Sequence, residues 1–148
     1  NMKVLTFFIS IFSFILLACN SQYKPIKINS ESITKVTIKS VGFPDGDIQF
    51  DLYANDTATH TLIKLINESK LIDDADKRTF HKGKLLITFI ANKEPVYCFN
   101  SPISEQNTIA LEVYSKCYTG WYYGSLSNEN FYLFFKNIFE SRYSVAFP

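Results

Sequence analysis

Apolar and polar positions change period several times along this chain, and the changes mark its elements. Ile33–Val41 is rich in β-branched residues, with Val36 and Ile38 on one side and Lys35, Thr37 and Lys39 on the other, the pattern of a half-buried strand. Phe43-Pro44-Asp45-Gly46-Asp47 supplies a turn, because Pro fixes φ and Gly tolerates φ above zero. Beyond it Ile48, Phe50 and Leu52 alternate with Gln49, Asp51 and Tyr53, a second strand that completes a hairpin. The period then becomes helical. Asn55 and Asp56 are N-cap residue types. Ala58, Leu62, Leu65 and Ile66 form one apolar stripe within Thr57–Lys70, with Lys64, Asn67 and Lys70 facing away. Asp73-Asp74-Ala75-Asp76-Lys77-Arg78 reads as a charged connector.

Strand periodicity resumes at Lys84–Ala91, where both faces are fairly apolar, as in a central strand. Asn92-Lys93-Glu94-Pro95 is a turn, Val96–Asn100 the next strand and Ser101–Asn107 a polar loop. Ile109, Leu111 and Val113 alternate with Ala110, Glu112 and Tyr114 in a strand reaching about Tyr118, and Trp121–Tyr123 adds a short one. Ser127 or Asn128 caps a last helix whose apolar face is Phe131, Phe134, Phe135, Ile138 and Phe139. The order is ββ-α-βββ(β)-α. Hairpin-linked strands with two helices predict an α+β fold: a two-layer sandwich in which an antiparallel sheet of five or six strands is covered on one face.

The N-terminus follows another rule. Lys3 is a short positive segment, and Val4–Ala18 carries no charge. Fifteen residues make roughly 22 Å of helix, whereas a bilayer core of about 30 Å needs about twenty apolar residues. The stretch suits the hydrophobic region of a signal peptide. It suits a buried core helix poorly, because Phe, Ile and Leu surround every face.

That stretch ends in Leu16-Leu17-Ala18-Cys19. The tetrapeptide resembles the lipobox of bacterial lipoproteins, with Leu at −3, a small residue at −1 and then Cys. The resemblance covers only this end of the chain. It implies cleavage before Cys19, diacylglycerol on the Cys19 thiol and further acylation of the new amino terminus. A single acyl chain binds a bilayer marginally, at about 0.8 kcal/mol per buried methylene, so two or three chains give stable anchoring. Asn20 stands where Asp would retain such lipoproteins in the inner membrane of enteric bacteria, so the resemblance leans towards the outer membrane, facing the periplasm. Three parts are therefore expected: a signal peptide over 1–18, a flexible tether over 19–31, which is polar with one Pro, and one globular domain over 32–148.

Composition narrows the function classes. At 148 residues, 47% hydrophobic and 20% charged, the chain is an ordinary single folded domain rather than a disordered one. Removing the leader deletes one charged residue, Lys3, and leaves acidic and basic side chains in formal balance. With no basic excess, a general nucleic-acid binder is not expected. The expected partners are the membrane, through lipid on Cys19, and an envelope protein or glycan. Cys98 and Cys117 fall on neighbouring predicted strands, and two readings stand: a disulfide formed in an oxidising compartment, or two buried thiols packed as small apolar side chains. Two Cys nineteen apart, with no CxxC pair, do not have zinc spacing, so no metal and no cofactor are expected.

Catalytic signals are sparse. His60 and His81 are the only side chains that ordinarily titrate near neutrality, and neither lies in a nucleophile motif such as GxSxG. Counting an EF-hand loop from Asp74 puts Thr79 where Gly belongs and Leu85 where Glu belongs, so the acidic run fails as a calcium loop. Gly120 and Gly124 are not followed by the Lys-Ser/Thr pair of a phosphate loop. One segment remains, Tyr118-Thr119-Gly120-Trp121-Tyr122-Tyr123-Gly124. Tyr118, Trp121, Tyr122 and Tyr123 either present a surface for a sugar or protein partner, or Trp121 and one Tyr close the edge of the core. The expectation from sequence is thus a non-catalytic binding or inhibitory lipoprotein. An accessory subunit of an outer-membrane assembly and a small hydrolase using His60, His81 and aspartates are the alternatives.

Overall fold

A computed structural model describes residues 26–72 and 81–148. Seven strands, β1 (Lys35–Val41), β2 (Gln49–Tyr53), β3 (Lys70–Ile72), β4 (His81–Ala91), β5 (Glu94–Ser104), β6 (Ala110–Lys116) and β7 (Thr119–Ser127), form one antiparallel sheet. Their spatial order is β2-β1-β4-β5-β6-β7-β3. Helix α1 (Thr57–Asn67) follows β2, and α2 (Phe131–Tyr143) follows β7. The α+β class is as expected. The sheet is larger than the five or six strands anticipated.

The added strand is β3. The helical stripe was expected to run to Lys70, but α1 stops at Asn67. The Glu68 N–H bonds Lys64 O, and the Ser69 hydroxyl bonds Leu65 O, closing the last turn. Lys70, Leu71 and Ile72 then pair with Ser127, Leu126 and Ser125 of β7. A three-residue strand has no period of its own, and only this tertiary pairing creates it. Three other strands are longer than expected, β4 among them, which starts at His81 rather than Lys84. Ladder pairing with β4 carries β5 through the anticipated loop as far as Ser104, because Ser101 and Ile103 turn into the core. Strand β7 starts at Thr119 and pairs with β6 and β3. The β4–β5 turn is only Asn92-Lys93, both at positive φ (50° and 70°), as two-residue hairpins require. Pro95 lies inside β5, where Ile90 faces Pro95 and Phe89 faces Tyr97, leaving Val96 as the extra residue of a bulge.

Alternate positions of the strands build the core. Val36, Ile38, Leu52, Leu85, Ile87, Phe89, Phe99 and Leu111 are buried with Leu62 and Ile66 of α1 and Phe131, Phe135 and Phe139 of α2. Each such side chain stabilises the fold by about 1.5–3 kcal/mol relative to exposure. Phe139 is the hub, with the rings of Phe43, Phe50 and Phe147 all within 5.3 Å of its own. Asp56 is the N-cap of α1: its Oδ1 accepts from the Ala58 N–H at 2.9 Å, and its two oxygens take both guanidinium nitrogens of Arg142 on α2. The last helix is capped differently from expectation. Its N-cap is Asn130, which makes no side-chain bond of its own, and Asn128 instead accepts from the Asn130 N–H at 3.0 Å. The turn aspartates divide: Asp47 closes its own turn by taking the Gly42 N–H at 2.7 Å, and Asp45 ties the turn to the C-terminal segment by taking the Ala146 N–H at 3.1 Å.

Residues 26–31, expected in the tether, are docked on the domain. Ile28 is buried, and Asn67 accepts from its N–H (2.8 Å) while donating to its carbonyl (3.0 Å). Asn67 was expected to face solvent. This backbone-mimicking bond pair turns it onto the incoming chain instead.

Candidate functional site

Strands β5 and β6 pair only at Phe99–Val113 and Asn100–Glu112. Towards the N-terminal end of β5 they diverge and leave a cleft of about 170 Å³, lined by Ile26, Tyr97, Val113, Tyr114, Ser115 and Lys116, among others. Cys98 and Cys117 also line it, and their sulfurs are bonded, with the Cα atoms 4.9 Å apart. The bond ties β5 to the β6–β7 turn where the ladder hydrogen bonds have stopped.

The turn itself is strained into shape by its own residues. Lys116 faces Thr119, Tyr118 has φ 59°, and Gly120 has φ 91°. A Cβ at Gly120 would overlap Ser115 Oγ, the atom that accepts the Trp121 N–H at 2.9 Å. Further along, Val113 faces Gly124 while Tyr114 faces Tyr122, so Tyr123 is the extra residue of a bulge.

These constraints divide the four aromatics singled out from sequence. Tyr118 is half-buried, and its hydroxyl bonds that of Thr88 on β4. Burial pushes its pKa up, and the Thr88 bond partly offsets the shift. Tyr122 is half-buried against Tyr114, with ring centroids 5.7 Å apart, and its hydroxyl bonds Ser125 at 2.9 Å. Trp121 and Tyr123 instead project outwards, 80% and 52% exposed. Trp121 therefore does not close the edge of the core. The turn holds its backbone on Ser115 and leaves the indole outside.

A polar row that sequence did not single out lies beside the aromatics. Glu112 accepts from the amide nitrogen of Asn100 and from the Tyr114 hydroxyl (3.0 Å). Burial first, and then the Glu112 charge, raise the Tyr114 pKa. Only strand alternation marked Glu112 as facing away from Leu111 and Val113, and nothing in the sequence joined it to Asn100 across the ladder.

His60 is exposed on α1, and His81 is exposed at the start of β4. No hydrogen bond or ion pair joins either to a carboxylate among the described residues. Among the described residues no cluster of His, Cys, Asp and Glu has the makings of a metal site. The acidic run Asp73, Asp74 and Asp76 lies outside the described residues, as do the leader, Cys19 and Asn20. No helix among the described residues is long and apolar enough to cross a membrane.

No family model, curated protein or solved structure matches this chain.

Proposed function

We propose that the chain is a lipid-anchored, non-catalytic binding module of the bacterial envelope, with the β6–β7 hairpin as its contact surface. The anchor rests on Leu16-Leu17-Ala18-Cys19 at the end of an uncharged leader. Asn20 favours the outer membrane, facing the periplasm. The contact surface rests on one observation: Trp121 is 80% exposed on a hairpin that a disulfide ties to the neighbouring strand. A large aromatic side chain held outside the core by a braced turn exposes apolar area and orders few further torsions on binding, which is the property of an interface hot spot.

A photo-crosslinking residue at position 121, in cells carrying the full chain, tests this. The expected result is a discrete adduct with an envelope component that is absent when the same residue replaces exposed Lys39, at the other end of the sheet. Equal, diffuse labelling from both positions would refute the assignment.

A further inference from the structure

We infer that the hairpin end of the sheet rests on the lipid surface that holds Cys19, with Trp121 in the interfacial layer. This deepens the proposal above and rests on its anchored Cys19. Seven residue steps separate Cys19 from Ile26, so the acylated sulfur stays within about 25 Å of Ile26 even with the chain fully extended. Ile26 lines the cleft between β5 and β6 together with Ser115 and Lys116. Ser115 in turn holds the backbone N–H of Trp121. The chain therefore enters the domain at the end that carries the indole, and a short connection keeps that end close to the bilayer.

The exposed chemistry of this end fits a lipid interface. Val96, Trp121 and Tyr123 are three of the seven large hydrophobic side chains exposed among the described residues; Val96 lies on β5, which lines the cleft, and Trp121 and Tyr123 on β7, the strand beyond β6. Trp and Tyr concentrate at the level of lipid headgroups, where an apolar ring and a polar tip are both satisfied. Among the described residues, Lys93 in the β4–β5 turn and Lys116 in β6 are exposed at the same end, with Glu94 in β5 and Glu31 ahead of β1 as exposed carboxylates there. Anionic headgroups attract such lysines over about a Debye length. The disulfide fixes β5, the strand of Val96, to the turn that leads into Trp121.

Trp121 is the only tryptophan in the chain, so its fluorescence reports this contact without labelling. The full chain, made in a bacterial host, is checked by intact mass and reconstituted in vesicles of phosphatidylethanolamine and phosphatidylglycerol with brominated acyl chains. With acyl groups on Cys19, the expected result is a blue-shifted Trp121 emission and loss of its intensity relative to unbrominated vesicles. The control carries Trp121→Phe and Leu133→Trp. It moves the reporter to an exposed position in the first turn of α2, which follows the opposite end of β7, and should show neither change. An acylated chain whose Trp121 stays unquenched, or whose two reporters are quenched equally, overturns the membrane face and leaves the anchor standing. An unacylated Cys19 overturns the anchor and, with it, this inference.

Discussion

The disulfide is the covalent element of the proposed surface, and its removal has a calculable consequence. Cys98 and Cys117 are 19 residues apart. Closing a loop of that length lowers the entropy of the unfolded chain by an amount worth about 3 kcal/mol at room temperature. For a domain of this size such a loss lowers the melting midpoint by about 10–15 °C. The local effect should be larger than the global one, because the ladder between β5 and β6 ends at Phe99–Val113 and no pair joins them on the disulfide side. In the double variant Cys98→Ser, Cys117→Ser, amide hydrogens of Ser115–Tyr123 should exchange much faster, while those of Ile87 and Phe89 in the middle of β4 keep their protection relative to global unfolding. Calorimetry and hydrogen exchange on the oxidised chain and the variant check both statements. Equal midpoints, with unchanged exchange over Ser115–Tyr123, would show that the bond constrains nothing and that the hairpin is held by other contacts.

Three further outcomes follow from the fold. Phe139→Ala removes a fully buried ring packed on Phe43, Phe50 and Phe147, and should cost about 3–5 kcal/mol in denaturant unfolding. Gly124 has φ 130°, and a Cβ there would lie 2.8 Å from the Ile72 carbonyl; Gly124→Ala should loosen the β3 edge, seen as faster exchange at Leu71 and Ile72, at a cost on the order of 1–3 kcal/mol. The Lys35 hydrogen bond first, and then the Thr37 hydroxyl, hold the Asp51 carboxyl below the usual carboxylate range. A depressed folded-state pKa adds stability at neutral pH that disappears as pH falls below about 4, so Asp51→Asn should flatten the acid limb of the stability profile and leave the limb above neutrality unchanged.

Period carried most of the fold into the sequence. The β1–β2 hairpin, α1, β4 and α2 were legible because Val36/Ile38, Leu62/Ile66 and Phe131/Phe135 repeat at the spacing of their elements. What stayed hidden depended on tertiary pairing. Strand β3 exists because Leu71 meets Leu126, and β5 continues past Asn100 because β4 offers hydrogen bonds as far as Ser104. The candidate site was legible as a composition, four aromatics within six residues beside Gly120 and Gly124, and not as an arrangement. A bulge at Tyr123 and a turn at positive φ decide that Trp121 and Tyr123 face out while Tyr118 and Tyr122 are tied down. No alternation rule foresees a bulge. The docking of Ile28 on Asn67 was equally hidden, since a polar residue on the outer side of a helix gives no sign that it will imitate a strand partner.

The anchored state of Cys19 underlies the proposed function and the orientation drawn from it. Metabolic labelling with an alkyne-bearing fatty acid in a bacterial host, followed by detection on the purified chain, tests it most directly. The account predicts label on the wild-type chain, a new amino terminus at residue 19, and loss of both in Cys19→Ser. An unlabelled chain that keeps residues 1–18 would contradict it.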